Sequence, residues 1–442
     1  MSKNLLEQAK QMVQLAKKKG AQGVRISLSR SRNSQVEWRD GKLDRLREST
    51  KMGMGITLFA DGRFSSNYTS DLRPTAVEKF FDDVLATTRV LAADAHRKLP
   101  DPARYTGMHK GDLQIYDEAG MAAVKPEDRR KTAEALEKAA RSVVGADKII
   151  SVTASYDDTL SESALVCSNG MEGLRKSTNF SAFAETSVKD EGSRRPEGWW
   201  YDAARYRADL LDVETIGKEA TRRALAMLGG KSEKSGEYPC VVENAVVSRL
   251  LRGLMSPLSG QAIQQKRSFL AEKRDKQVGS PLLTLIDDPF VPKGMGSRTY
   301  DGEGMATKKR PIFEKGVLKN YLLDTYYASK LGKEPTTGSS SNLVFDYGKK
   351  DLTELLAVMD TGILITGFSG GNSNSATGDF SVGIRGHWVE KGKVVRAITE
   401  MNLAGNHLTF WTKLAELGRD ARRSSSWRCP SLRFEPVQFS GA

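Results

Sequence analysis

Histidine and cysteine are scarce in this chain: of 442 residues, four are His and three are Cys. Cys167, Cys240 and Cys429 are odd in number, far apart and outside any C-x-x-C spacing. That excludes a disulfide framework or a zinc knuckle and fits a reducing cytoplasm. No run of about 18 apolar residues exists, so no transmembrane helix is expected. The opening M-S-K-N-L-L-E-Q lacks the apolar core and small-residue cleavage site of a signal peptide. No phosphate-binding P-loop or 20–50-residue repeat is present. What remains is an ordinary globular composition, 39% hydrophobic and 28% charged, expected to be soluble and cytoplasmic.

The net charge is +13. The positive residues fall in short clusters, such as Lys17-Lys18-Lys19, Arg129-Arg130-Lys131 and Lys308-Lys309-Arg310. None is interleaved with aromatics that could stack bases, and no nucleic-acid-binding motif occurs. The charge reads as a solvated basic surface, and a nucleic-acid partner is not expected.

The length implies two domains. Leu5, Ala9, Met12 and Ala16 give one apolar helix face over 4–19, with Ser2 able to cap it and Gly20 able to end it. Val24, Ile26 and Leu28 alternate as in a strand. Asp40-Gly41 and Asp61-Gly62 are two-residue hairpin signals. Pro74 opens a helix carrying Val77, Phe80, Val84 and Leu91; 95–125 reads as irregular; Pro126 opens a helix to 143. Strands are expected over 149–156, 163–167 and 173–188, then a helix over 213–228. The polar, glycine-rich stretch 229–236 reads as a linker. The domains are therefore expected at 1–229, α+β, and 237–442, mainly β with helices near 243–255, 324–331 and 351–359.

The most informative stretch is Gly370–Val395. Phe380, Val382 and Ile384 alternate with Ser381, Gly383 and Arg385, the period of a half-buried strand. Glu390-Lys391-Gly392-Lys393 is a turn, and Val394-Val395 begin the return strand. So many glycines in a sheet imply a close approach of backbone to something. Gly370, Gly371, Gly378 and Gly383 are therefore candidate substrate-binding positions.

This stretch resembles the C-terminal signature of the TldD/PmbA proteins, in the TldE (PmbA) branch. The resemblance extends to Asp301-Gly302-Glu303-Gly304-Met305, Pro311–Leu318, Tyr321–Gly332, Ser341-Asn342-Leu343-Val344, Glu400–Asn406 and Pro430-Ser431-Leu432. The motifs keep their order, and the likeness is densest from about 237 onward. It implies an α+β N-terminal domain joined to a mainly β C-terminal domain. It also implies a heterodimeric zinc protease that degrades or trims unfolded and small peptides, in which a TldD-like subunit holds zinc on an H-E-x-x-x-H helix. The family's older label, modulator of DNA gyrase, implies no contact with DNA.

Laid on that helix, Glu243 and Ser248 stand where the two zinc histidines would be, and Asn244 where the catalytic glutamate would be. A hydroxyl is a poor zinc ligand, and an amide takes no proton at neutral pH. The resemblance therefore implies a non-catalytic partner with no zinc of its own, zinc being expected in the TldD-like subunit. When isolated, such a chain is able to pair with itself. Two other readings stay open: a self-sufficient peptidase with a metal on carboxylates such as Glu243, Asp301 or Glu303, and a nucleic-acid-associated regulator. His96 and His109 read as surface residues. His387 and His407 fall where they could approach one another. Cys429 lacks the glycine-rich context of a metal-binding cysteine, and Asp301, Glu303 and Asp379 read as organisers of glycine turns.

Overall fold

The computed structural model describes residues 2–441, with side chains from residue 5. Helix α1, Ser2–Lys18, buries Leu5, Ala9, Val13 and Ala16. Gly20, at φ +106°, donates its N–H to the Lys17 carbonyl and ends the helix. The expected Ser2 cap lies outside the described side chains. Strands β1 (Gly23–Arg39), β2 (Lys42–Ala60) and β3 (Arg63–Thr69) follow. Their hairpins turn at Asp40-Gly41 and Asp61-Gly62, with all four residues at positive φ, the geometry whose twist matches that of the strands.

Helix α2, Pro74–Val90, buries Val77, Phe81, Val84 and Leu85. Leu91, expected on that face, lies past the helix end and is exposed. Residues 95–125 hold one short helix, α3 (Glu118–Ala123), and a 3-10 turn at Pro102–Tyr105. Then come α4 (Pro126–Arg141), β4 (Ile149–Cys167), β5 (Glu172–Val188), β6 (Glu197–Ala204) and α5 (Val213–Ala226).

The six strands form one antiparallel sheet in the order β3-β2-β1-β4-β5-β6. The two strands expected over 149–156 and 163–167 are one strand. Its polar centre, 157–162, reads as a break in the sequence yet is paired on both sides, to β1 and β5. Charge pairing makes this possible: Asp158, 2% exposed, accepts from Arg129, also 2% exposed, and Glu162 accepts from Arg30. Ala154, Tyr156, Ala164 and Val166 share one face of β4, and the helices cover that face.

The second domain begins with β7 (Gly236–Val242) and α6 (Val247–Met255), then α7 (Gly260–Gln264). Strands β8 (Leu285–Asp287), β9 (Arg310–Glu314) and β10 (Val317–Leu318) precede α8 (Thr325–Lys330), β11 (Leu343–Phe345) and α9 (Leu352–Met359). The glycine-rich meander is β12 (Gly362–Ser373), β13 (Asp379–Glu390) and β14 (Lys393–Asn406). The chain ends with α10 (His407–Phe410), β15 (Leu414–Leu417), β16 (Trp427–Arg428) and β17 (Leu432–Ser440).

Strands β14-β13-β12-β7-β17 close into a small barrel, because β17 pairs back onto β14 through Asn402–Ser440 and Leu403–Phe439. Only β7 and β12 in this ring run parallel. Val242, Ile363, Ile365, Val382, Ile384, Leu403 and Phe439 belong to its apolar core, each such side chain contributing about 1.5–3 kcal/mol on burial. The other face, at Val241, Leu364 and Val389, is covered by α9. Strands β10-β9-β8-β11-β16 form a second small sheet. Among the described residues no helix is long and apolar enough to cross a membrane. The architecture is mixed α+β with more than one domain, as the sequence and the resemblance implied.

Candidate functional site

The expected helix over 243–255 starts four residues late. Glu243, Asn244 and Ala245 form the turn between β7 and α6, and only Ser248 lies on the helix. The cause is visible in the hydrogen bonds. The Glu243 N–H is held by the Ile365 carbonyl at 3.0 Å, and the Asn244 N–H by the Ser431 hydroxyl at 3.1 Å. Both residues thus stay tied to the barrel strands. The Asn244 amide donates to the Asp420 carbonyl at 2.6 Å and braces the turn.

A cavity of about 660 Å³ opens where this turn meets the N-terminal domain. It is walled by β6, α5, the turn with the start of α6, and by β12 and β13. Glu243 and Ser248 line it, as does Gly370; Asn244, Gly371, Gly378 and Gly383 do not.

Helix α5 reaches the cavity because it packs closely on its neighbours. A β-carbon on Gly198 would sit 2.2 Å from the Ala224 nitrogen, and one on Gly217 2.4 Å from the Leu136 carbonyl oxygen. Asp212 caps the helix by accepting from Thr215. The seating aims Glu219 and Arg223, one turn apart, at the barrel. Arg223 donates to Glu219 at 2.9 Å and grips both oxygens of Glu243. The indole of Trp200 lies between two guanidiniums, Arg223 at 4.1 Å and Arg422 at 4.0 Å from its ring centre. Burial pulls the Arg223 pKa down, but Glu243 and Glu219 outweigh it and hold it above the ordinary value.

A guanidinium therefore already occupies the Glu243 carboxylate. Asn244 is engaged in bracing its turn, and Ser248 offers only a hydroxyl. Among the described residues, no three His, Cys, Asp or Glu side chains converge as a metal-holding group. These residues do not fit a zinc ion. His387 also lines the cavity. Burial, with Arg223 nearby, pushes its pKa down to about 4, so the ring is neutral at pH 7. Its Nδ1 has no hydrogen-bond partner.

Strand β12 supplies the cavity's most distinctive wall. On one side it pairs with β13 almost throughout. On the other it pairs with β7 only at Ile363–Ile365, because β7 ends at Val242. Among the described residues no strand lies beside that edge from Thr366 to Ser373, and it becomes exposed from Ser369 onward. Arg249 of α6 touches it by donating to the Gly370 carbonyl at 3.1 Å. The glycines have an internal cause as well. A β-carbon on Gly371, at φ +81°, would sit 2.3 Å from the Ser381 carbonyl oxygen. The close approach inferred from the sequence is, at this position, that of β12 to β13.

The other candidates lie elsewhere. Asp301 accepts from the Glu303 and Met305 N–H groups. Glu303 accepts from the backbone and hydroxyl of Thr325. Both line a separate cavity of about 200 Å³ and are not brought to Glu243. Asp379 accepts from Thr377 and Asn406. Asp301 thus organises its glycine turn, as the sequence suggested; Glu303 instead holds Thr325 at the start of α8, and the Asp379 carboxylate accepts from side chains.

His407 lines a neighbouring cavity of about 240 Å³, with Gly371 and Ser373, and does not join His387. Its Nδ1 accepts from the Trp411 indole at 3.3 Å, and its Nε2 lies 2.9 Å from the Ser373 hydroxyl. An indole can only donate, so in the neutral ring Nε2 carries the proton and donates to Ser373. The imidazole is then unable to take the serine proton, and this pair is no nucleophile–base dyad. His96 and His109 are half-buried, against Ser329 and Phe290. The three cysteines are buried and free, and burial pushes the Cys429 thiol pKa up.

The sequence did not reveal Arg222, Arg223, Arg385 or Trp200. The i,i+4 pair Glu219–Arg223 was legible on the helix, but its reach to Glu243 depends on how the two domains dock.

Three family models match in chain order: the PmbA/TldA metallopeptidase domain 1 at 24–88, the central domain at 121–228 and the C-terminal domain at 235–441. The chain is 27% identical to the metalloprotease PmbA of Escherichia coli O157:H7, over 95% of this chain and 92% of that protein. It is 42% identical to a Bacteroides thetaiotaomicron protein of known structure described as a modulator of DNA gyrase. That match covers 99% of this chain and 98% of the other, with a TM-score of 0.95. The crystal structure of TldE from Thermococcus kodakarensis shares the fold, with a TM-score of 0.87 at 20% identity over 98% and 99% of the two chains.

Proposed function

This chain belongs to the PmbA/TldD metallopeptidase family, and from that premise we propose that it is the non-catalytic subunit of a two-chain peptidase. A TldD-like partner supplies the zinc and the catalytic glutamate. This chain supplies a wall of the chamber in which unfolded or small peptides are held. The work is done in the cytoplasm, a compartment compatible with three free, buried cysteines.

The observation that carries the reading is the Glu219–Arg223–Glu243 ion triad. It fills the place to which the resemblance assigns the zinc ligands, and it satisfies the Glu243 carboxylate with an internal cation. The unpaired edge of β12 supports a peptide-holding role. An extended chain can add to such an edge through its main chain, and main-chain pairing is indifferent to sequence.

The test is co-expression with a TldD-type subunit carrying H-E-x-x-x-H, one of the two chains being tagged. Stoichiometric co-purification and cleavage of an unstructured peptide by the pair are expected. Intrinsic peptide cleavage by this chain alone, after metal removal and zinc reloading, would contradict the proposal.

A further inference from the structure

We propose that the 660 Å³ cavity binds a carboxylate of a peptide chain, gripped by Arg385, Arg249 and Arg222. This inference rests on the peptide-holding role just proposed and names the group that the site recognises.

The charges of the cavity wall are unequal in kind. Four guanidiniums and three carboxylates line it. Arg223 is spent on Glu219 and Glu243, both within its reach. Among the described residues, Arg222, Arg249 and Arg385 have no carboxylate within ion-pair distance, although all three line the same space. Glu197 is the one lining carboxylate outside the triad. Three unpaired guanidiniums around one cleft make a site for an anion, because the planar fork of Arg matches a carboxylate with two parallel hydrogen bonds.

Two further features point to a ligand. His387 is 8% exposed, and its Nδ1 has no partner although it lines the cavity. A buried polar atom left in this state is costly, and a ligand oxygen satisfies it when Nδ1 carries the proton. Arg385 sits on a bulge, where the pairing of β13 with β14 skips from Ile384 to Gly386. Bulges re-aim a single side chain out of the regular alternation. The open edge of β12 passes beside these groups. A peptide paired on that edge would bring its carboxylate among them.

The carboxylate comes from the peptide's C-terminus or from an Asp or Glu side chain, and one set of peptides separates the two. An unstructured peptide without acidic residues, fluorescently labelled at its N-terminus, is titrated with the full chain in low salt and followed by anisotropy. It is used as the free acid, as the C-terminal amide, and as an amide with one internal Glu. At least a tenfold advantage of the free acid over the plain amide assigns the C-terminus. The same advantage of the Glu-bearing amide assigns the side chain. Either advantage should vanish in Arg385→Gln, and should shrink in the exposed Arg249→Gln, which keeps the test valid if the first variant folds poorly. Equal binding of all three peptides overturns the carboxylate site and leaves the peptide-holding role standing. No binding by any of them overturns both.

Discussion

Loss of the Arg223 guanidinium would strip Glu243, 6% exposed, of the cation that grips both its oxygens. Arg223→Met should therefore lower stability by about 3–5 kcal/mol, read by urea denaturation. Adding Glu243→Gln should recover much of that loss, because the orphaned charge goes with it. If the single variant is as stable as the parent, the triad is not the clamp described here. Asp157 makes a second residue-scale case. Burial and the neighbouring Asp158 raise its pKa to about 6 from an ordinary 3.8. Between those values the folded state holds the proton more tightly than the unfolded chain, so this residue favours folding as pH falls and weakens it at neutral pH. Asp157→Asn should stabilise the protein at pH 7.5 by on the order of 1–2 kcal/mol and change little near pH 4. His387 and His407 act in the opposite sense. Both are held at about 4, below the ordinary 6.5, so the unfolded chain takes up protons first and stability falls as pH drops from 6.5 toward 4. The pairing of Arg223 with Glu243 had no signature in the sequence, since the two lie on elements of different domains.

Elements fixed by local chemistry were legible, and those fixed by partners were not. The turns at Asp40-Gly41, Asp61-Gly62 and Lys391-Gly392 were readable because positive φ at two successive residues selects Asp, Lys or Asn followed by Gly. The alternation at Phe380, Val382 and Ile384 was readable because it is a local period, and all three are buried. The centre of β4 was not, because Asp158 and Glu162 are held in the strand by Arg129 and Arg30 from distant elements. The start of α6 was missed for a similar reason: its first residues are held back by the Ile365 carbonyl and the Ser431 hydroxyl. Beside β12, the glycines were legible but their cause was not, since bulges follow from pairing. Gly371→Ala would force a β-carbon to 2.3 Å from the Ser381 carbonyl oxygen at a φ of +81°. We expect a loss of about 1–3 kcal/mol, measured by thermal melting. A neutral result would mean that β12 adapts without cost.

For the whole molecule, the net charge of +13 was the feature with the least structural consequence to read from sequence. Much of the basic surface is matched by local carboxylates, as at Lys19–Asp82, Arg141–Asp40 and Arg419–Asp351. Three unmatched guanidiniums converge instead on the cleft between the domains. That convergence arises from docking α5 and β6 against the barrel, which no stretch of sequence displays. The central claim is a division of labour: this chain holds peptide, and a partner cuts it. Its most direct test is the cleavage rate of an unstructured peptide by the reconstituted pair, with each chain altered in turn. The account predicts that replacing the partner's two zinc histidines abolishes cleavage, while Ser248→Ala in this chain leaves the rate per bound peptide within about twofold. Cleavage that survives the partner's change, or that is lost with Ser248→Ala in a folded pair, would contradict it.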